Sequence, residues 1–233
     1  MPDTQNTLID ALPRADRARL LGLLEPVELV LSQVLCEGGK KTRHAYFPTT
    51  AFVSLIAHID AERELEVGMA GREGMVGEQL VLGVANEPLK AVVQGAGMAW
   101  RVAVVPFKRE LLRSRPLRER LQRYVYVVMA QRAASAACLR FHEIGPRLAR
   151  WLLMSQDRAH TDRFPMTQQF ASMMLGVRRV GVTAAASALQ ERGLISYHRG
   201  DLTVLDRAGL ERAACSCYAA GEALYAQHLR APA

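Results

Sequence analysis

The stretch MTQQFASMMLGVRRVGVTAAASALQERGLI, residues 166–195, decides the fold of the C-terminal part of the chain. Thr167 is a residue type favoured at helix N-caps, and it predicts a short helix over Gln168–Met174. The turn that follows contains Gly176, which tolerates the left-handed backbone that a sharp reversal needs. A second helix is predicted from Arg178 to Arg192. Two helices joined by a short glycine-containing turn are typical of a helix-turn-helix.

The second helix has one apolar face, formed by Val182, Ala186 and Leu189 at positions i, i+4 and i+7. When that face is buried, the opposite face carries Arg178, Arg179, Thr183 and Ser187. In helix-turn-helix proteins the N-terminal residues of the second helix meet base edges in the major groove, and the helix N-terminus attracts phosphate. The predicted DNA-contacting residues are Thr167, Gln168, Arg178, Arg179, Thr183, Ser187, His198 and Arg199.

The last two of these residues lie in a predicted wing. The segment ISYHRGDLTVL, residues 195–205, predicts a strand, a turn at Arg199-Gly200-Asp201 and a second strand. His198 and Arg199 would then contact the phosphate backbone of DNA. In the middle of the second helix, Gly181 costs about 1 kcal/mol relative to alanine, and we interpret it as tolerated because a small residue lets the helix lie deep in the groove.

The charge distribution supports a nucleic-acid partner. The net charge is +7, but residues 1–115 carry 14 basic and 14 acidic residues, so the whole excess lies in residues 116–233. Every basic residue in that second part is an arginine, the side chain suited to bidentate contacts with phosphate and guanine. Double-stranded DNA is the expected partner.

The N-terminal part reads as short strands separated by glycines. Three runs stand out, AFVSLIAHI at 51–59, ELEVGMA at 64–70 and AVVQGAGMAWRVAVV at 91–105. Runs of this kind predict an antiparallel barrel or jelly roll. A helical lead-in is predicted over Thr7–Leu24, and a short helix between Pro106 and Pro116.

After Pro116 the pattern becomes helical, with apolar residues at helical spacing and a run of alanines at 133–137. Gly145-Pro146 is predicted to end this helix, because proline disfavours helical geometry in the residue before it. A helix of about 25 residues spans roughly 38 Å, which is long enough for a dimer seam. A core helix packed on its own β-domain is the alternative. The expected domains are a β-roll sensor at 1–115, a dimerisation helix at 116–144 and a winged helix-turn-helix at 145–233.

On these residues the chain resembles the Crp/Fnr superfamily of bacterial transcription regulators, most closely between Arg147 and Leu205. The family pattern Thr-Arg-Gln-Glu-Leu-Ala, then Gly, then Ser-Arg-Glu-Thr-Val-Ser-Arg is similar to the stretch at 166–195, with Arg179 at the first base-reading arginine. Val180 and Ala184 stand where many members have glutamate and a second arginine, so the family's usual half-site does not carry over. The resemblance implies an α+β homodimer with an N-terminal antiparallel β-roll or jelly-roll sensor, a long dimerisation helix and a C-terminal winged helix-turn-helix. It also implies RNA polymerase as a further partner.

The same resemblance places a possible effector pocket at Gly77, Glu78, Leu89 and Lys90. Gly77-Glu78 is similar to the Gly-Glu of the phosphate cassette in cyclic-nucleotide binders. The cassette's phosphate-binding arginine falls on Leu89, and a cyclic phosphodiester would therefore lose its main charge-assisted contact. The sequence thus disfavours cyclic-nucleotide binding, although Lys90 could act as a point charge.

Other cofactors are also disfavoured. An iron–sulfur cluster needs four thiolates, and the N-terminal half offers only Cys36; haem would require one of Cys36, His44 or His58 as an axial ligand. Cys215-Ser-Cys217 is either a thiol sensor, a metal corner or, as expected here, a pair of isolated thiols, so no metal site is predicted.

A cytoplasmic protein is expected, without a membrane segment or a signal peptide. No Ser-His-Asp or metal-ligand grouping is apparent, and an enzyme is not expected. The remaining alternative is a small-ligand-binding β-roll protein whose helical half is a protein-interaction module. Salt-dependent DNA binding distinguishes the two functions. The sequence does not identify the effector, the operator or whether the protein activates or represses.

Overall fold

The computed structural model describes residues 4–60 and 63–229. The N-terminal part starts with two short helices, α1 (Thr7–Asp10) and α2 (Arg14–Leu21). The predicted continuous lead-in is therefore interrupted, and Pro13 lies at the N-cap of α2 because its fixed φ and missing N–H suit a helix start.

An antiparallel β-roll follows. Its strands are β1 (Glu25–Leu29), β2 (Val34–Cys36), β3 (His44–Pro48), β4 (Phe52–Asp60), β5 (Arg63–Ala70), β6 (Lys90–Gly95) and β7 (Gly97–Ala103). One sheet has the order β1-β7-β3 and the other the order β2-β6-β4-β5. Apolar side chains such as Leu29, Val53 and Val93 fill the roll. The predicted run 91–105 is split at Ala96, between β6 and β7. At the adjacent Gly97 a Cβ would lie 2.7 Å from the backbone nitrogen of Ala51.

Two helices cover the roll. The first is α3 (Val104–Arg113), which begins before Pro106 because a proline in the first helical turn removes no hydrogen bond. The second is the long helix α4 (Arg115–Phe141), whose N-cap Ser114 accepts a hydrogen bond from the backbone N–H of Leu117 at 3.2 Å. One face of α4 is buried against the roll. It carries Leu117, Leu121, Val125 and Val128.

The break after α4 differs from the prediction. The long helix ends at Phe141, His142 has an extended backbone, and the next helix, α5, runs from Ile144 to Ala159. Gly145-Pro146, predicted to terminate the long helix, instead lies in the first turn of α5. Proline is tolerated there because the N–H groups of a first turn have no partner within the helix.

The C-terminal part is a helical unit with a small sheet. It contains β8 (Arg163–Pro165), α6 (Gln168–Leu175), α7 (Arg179–Glu191), β9 (Ile195–His198), β10 (Asp201–Val204), α8 (Arg207–Ala213) and α9 (Cys217–Leu229). Its sheet has the order β8-β10-β9. Ile56 and Met69 of the β-roll belong to the same apolar core as Leu148 and Leu152 of α5. The C-terminal unit therefore packs directly on the β-roll.

The last helix, α9, lies along α4. The rings of His228 and Tyr126 meet edge to face, with their centroids 5.0 Å apart. No helix among the described residues is both long enough and apolar enough to cross a membrane.

Candidate nucleic-acid interface

The turn between α6 and α7 has the geometry that the sequence predicts. The Thr167 hydroxyl accepts a hydrogen bond from the backbone N–H of Phe170 at 3.0 Å and so caps α6. Gly176 has φ +61°, the left-handed conformation that favours glycine. The β-roll contacts this turn, since a Cβ on Gly176 would lie 2.8 Å from Cδ1 of Leu65. The chain therefore forms the predicted helix-turn-helix, and Leu65 of the β-roll packs against its turn.

The second helix is oriented as predicted, with Val182, Ala186 and Leu189 buried. It begins one residue later than predicted, because Arg178 has an extended backbone and is the N-cap rather than the first helical residue. Arg178, Arg179, Thr183 and Ser187 are all exposed. Both arginines thus lie at the end of the helix where unpaired N–H groups attract an anion.

Three of the predicted contact residues touch one another. Oε1 of Gln168 accepts a hydrogen bond from the hydroxyl of Thr183 at 2.9 Å and faces Nε of Arg179 at 3.5 Å. The Thr183 hydroxyl also lies 3.0 Å from the carbonyl oxygen of Arg179. Gln168 at the start of α6 therefore restricts the Arg179 side chain, which lowers the entropy cost of a directed contact.

Gly181 is explained by packing within the protein. A Cβ at this position would lie 2.8 Å from Cδ1 of Ile144, the first residue of α5. The residue that needs a glycine at this position is therefore this isoleucine of the same chain.

The wing is a two-residue hairpin, one residue tighter than the predicted turn. Arg199 and Gly200 both have positive φ, as in a type I′ turn, and His198 pairs with Asp201. His198 and Arg199 are exposed. The backbone N–H of Met166 donates to the carbonyl of Gly200 at 2.8 Å, which fixes the tip of the wing beside the start of α6.

Two residues that the sequence analysis did not assign to DNA contact also lie on the exposed face of α7. Val180 is 72% exposed and Ala184 is exposed as well. The sequence could have indicated their role, because these are the two positions at which it departs from the family's base-reading pattern.

Two of the predicted effector residues are engaged in ion pairs. Glu78 is buried and paired with Arg132 of α4, with Oε1 and Nη2 2.5 Å apart, and Gly77 precedes it with φ +93°. Lys90 is engaged elsewhere, because its ammonium lies 3.3 Å from the carboxylate of Glu64. Burial, together with the nearby charge of Glu78, raises the pKa of Glu87 to about 7.

A cavity of about 340 Å³ lies between β5, α4 and α5. It is bordered by Leu89, by the three arginines Arg132, Arg147 and Arg150, and by Glu66. The indole N–H of Trp151 donates to one carboxylate oxygen of Glu66 at 2.9 Å, and the hydroxyl of Ser54 donates to the other at 2.6 Å. Desolvation raises the pKa of this carboxyl group to about 7. Glu66 thus joins the roll to the helical unit.

Part of the chain matches a known domain family. Residues 146–213 match a family model described as a Crp-like helix-turn-helix domain. No curated protein sequence matches the chain. The helix-turn-helix is therefore that of the Crp-like class, over the region that contains α5 to α8.

Solved structures share the fold over most of the chain. A protein from Eubacterium rectale described as a Crp/Fnr-family transcriptional regulator aligns with TM-score 0.70 at 15% identity, covering 91% of this chain and 99% of its own. The c-di-GMP-responsive global regulator CLP of Xanthomonas campestris aligns with TM-score 0.67 at 16% identity, covering 82% and 99%. FixK2 of Bradyrhizobium japonicum aligns with TM-score 0.68 at 12% identity, covering 83% and 98%.

Proposed function

We propose that this chain, a member of the Crp/Fnr superfamily of transcription regulators by its helix-turn-helix domain and its fold, acts as a cytoplasmic homodimer that reads an inverted repeat in DNA. The observation that carries the proposal is the N-terminal end of α7. Arg178 and Arg179 are exposed there, and small side chains surround them. A helix of this kind fits into the major groove, where its two guanidinium groups can reach base edges and phosphates.

Base readout differs from the usual family pattern in this proposal. Arg179, held by Gln168, contacts a guanine, while Arg178 contacts the phosphate backbone. The methyl groups of Val180 and Ala184 offer apolar surface to the methyl group of thymine. The operator should therefore contain a guanine followed by thymine-rich positions in each half-site.

The dimer forms along α4 in this proposal. Away from its buried face, α4 has a stripe of exposed residues. The spacing between successive residues of the stripe alternates between four and three. The stripe comprises Gln122, Tyr126, Met129, Ala133, Ala136 and Arg140. This spacing is that of a two-stranded coiled coil, and the alanines allow the two backbones a close approach. A two-fold axis along this seam presents two copies of α7 about 34 Å apart, one helical turn of DNA.

The effector side of the proposal rests on the cavity beside Leu89. Lys90 is already paired with Glu64, and Glu78 is paired with Arg132, so neither side chain is a free charge near the predicted cassette. The cavity next to α5, which Arg132, Arg147 and Arg150 border, is therefore the proposed ligand site. A ligand bound there would alter the position of the helical unit. RNA polymerase contact belongs to the same proposal and follows from the family alone.

The test is selection of bound fragments from the source genome by the purified full-length protein, repeated over a salt series. We expect an enriched inverted repeat and an affinity that falls steeply as salt rises, because arginine contacts release counterions from the phosphates. The matched control replaces Arg178 and Arg179 together by alanine, which leaves the buried face of α7 unchanged. Fragment binding that is unaffected by this replacement, or absent at low salt in the unchanged protein, would reject the proposal.

A further inference from the structure

The end of the long helix and the segment before the last helix bring four metal-binding side chains together. They are Cys138, His142, Cys215 and Cys217, and their ligand atoms all lie within 4.8 Å of one another. The sequence analysis treated Cys215-Ser-Cys217 as isolated thiols and predicted no metal. That premise is wrong, because Cys138 in the last turn of α4 and His142 at its C-cap lie against the same two cysteines.

Two of the distances between these ligand atoms match those around a tetrahedral ion. Sγ of Cys138 lies 3.6 Å from Sγ of Cys215, and Sγ of Cys217 lies 3.6 Å from Nδ1 of His142. A Zn–S bond of about 2.3 Å and a Zn–N bond of about 2.0 Å, at tetrahedral angles, place two sulfurs about 3.8 Å apart and a sulfur and a nitrogen about 3.5 Å apart. A disulfide would instead require two sulfurs at about 2.05 Å.

We propose that these four side chains form a structural Zn²⁺ site of the Cys₃His type, with His142 binding through Nδ1. Four protein ligands fill the tetrahedron and leave no position for water or substrate, which is the composition of structural rather than catalytic zinc sites. Binding converts three thiols to thiolates, so up to three protons pass to solvent for each ion bound, and no oxidant or reductant takes part.

The surroundings suit the charge of such a site. Three thiolates, one neutral imidazole and one Zn²⁺ sum to −1. The guanidinium of Arg150 lies beside the cluster, with Nη1 4.0 Å from Sγ of Cys138 and Nη2 3.1 Å from the hydroxyl of Ser135. A cation in this position stabilises anionic sulfur and orients the ligand.

The site spans the break between the long helix and the DNA-binding unit. His142 is the C-cap of α4, and the backbone N–H of Cys215 donates to the carbonyl of Pro146 in α5 at 3.2 Å. The ion would therefore tie α4, α5 and the start of α9 at one point, and fix the direction in which the helix-turn-helix leaves the dimer helix. The site itself does not depend on DNA binding, so its test can fail or succeed independently of the proposed function.

The experiment measures metal in the intact protein. After purification from zinc-containing medium and gel filtration, elemental analysis should find one zinc per chain. After removal of the zinc, Co²⁺ should give the visible bands of a tetrahedral site and a thiolate charge-transfer band, and one equivalent of Zn²⁺ should abolish both. The variants are Cys217→Ser and His142→Ala, with Cys36→Ser in β2 as the matched control because this thiol lies outside the cluster.

We expect Cys36→Ser to keep full metal content, and Cys217→Ser and His142→Ala to lose at least tenfold in affinity. Since a cluster variant could misfold, chelation of the unchanged protein provides a second readout. A strong chelator should lower its melting temperature, and added zinc should restore it. Absence of zinc and of Co²⁺ bands, a Cys138–Cys215 disulfide in freshly purified protein, or stoichiometric iron and sulfide would each overturn the proposal.

Discussion

Arg179 and Arg199 are both exposed arginines of the C-terminal unit, yet their positions predict different roles. Arg179 is the first residue of α7 and is held by Gln168, while Arg199 occupies the tip of a hairpin. We expect Arg179→Ala to weaken binding to the selected operator by about 1–3 kcal/mol and to relax one base position. Arg199→Ala should weaken operator and random DNA equally. Competition binding with both DNAs measures the difference, and equal losses for Arg179→Ala would contradict base readout.

Glu66 gives a prediction about pH. Its pKa in the folded protein is raised to about 7 by desolvation, against about 4.5 in the unfolded chain, so its contribution to stability is fully present below the lower value and is lost as pH rises through the higher one. We expect Glu66→Gln, which can still accept the Trp151 hydrogen bond, to raise the free energy of unfolding by about 2 kcal/mol at about pH 8 and by little at about pH 5. That figure is below the full value of the shift because the residue is only half-buried.

The measurement for Glu66 is urea unfolding at both pH values. Glu119→Gln is the control, because Arg115 lowers the pKa of this exposed carboxyl group and moves its titration below the tested range. A difference between Glu66→Gln and the unchanged protein that is the same at both pH values would contradict the assignment.

Single residues could be predicted from the sequence where their roles are local. The Thr167 cap, the Gly176 turn and the outward direction of Arg179 depend on helix periodicity and backbone conformation, and the structure has all three. The Glu66–Trp151 contact joins residues 85 positions apart, and the Cys₃His cluster joins residues up to 79 positions apart. Contacts of that kind depend on tertiary packing and leave no periodic signal.

At the scale of elements, the start of α7 packs on the start of α5 through Gly181 and Ile144. Alanine at 181 gains up to about 1 kcal/mol of helix propensity, but its Cβ would force Cδ1 of Ile144 to move. We expect Gly181→Ala to stabilise the protein more in an Ile144→Val background, which lacks that methyl group, by about 0.5 kcal/mol or more. Chemical unfolding of the four proteins of the cycle measures the coupling. An identical effect in both backgrounds would show that the contact has no cost.

The predicted helices and strands occur in the predicted order, and the errors at two helix boundaries lie at prolines. Pro106 and Pro146 were taken as boundaries but lie in the first turns of α3 and α5. A proline marks a helix boundary without telling which side of it is helical, because it is excluded from a helix interior and accepted in a first turn. The residues around the proline decide on which side the helix lies. Here α5 begins at Ile144, before Pro146, and the Ile144 side chain packs against Gly181 of α7.

At the scale of the whole molecule, the fold class follows from the order of β-rich and helical segments, while the proposed dimer depends on the surface of α4. The predicted apolar repeat, which includes Leu121 and Val128, is buried against the roll in a single chain. The stripe that contains Met129 and Ala133 is exposed instead, and Met129 is 61% exposed. A long exposed stripe with coiled-coil spacing is accounted for when a second copy covers it.

This stripe gives the last prediction. Ala133 lies at its centre, where two helices related by a two-fold axis would place the same residue from each copy close together. We expect Ala133→Glu to convert the dimer to monomer at micromolar concentration, because two carboxylates would be brought into a close apolar contact. Sedimentation measures the mass. Leu112→Glu on α3 is the control, since Leu112 is 80% exposed and lies off the stripe.

The monomer should keep its melting behaviour and its binding to a single half-site, while its affinity for the full inverted repeat falls at least tenfold because the two half-sites no longer bind as one unit. A dimer that survives Ala133→Glu would place the seam elsewhere.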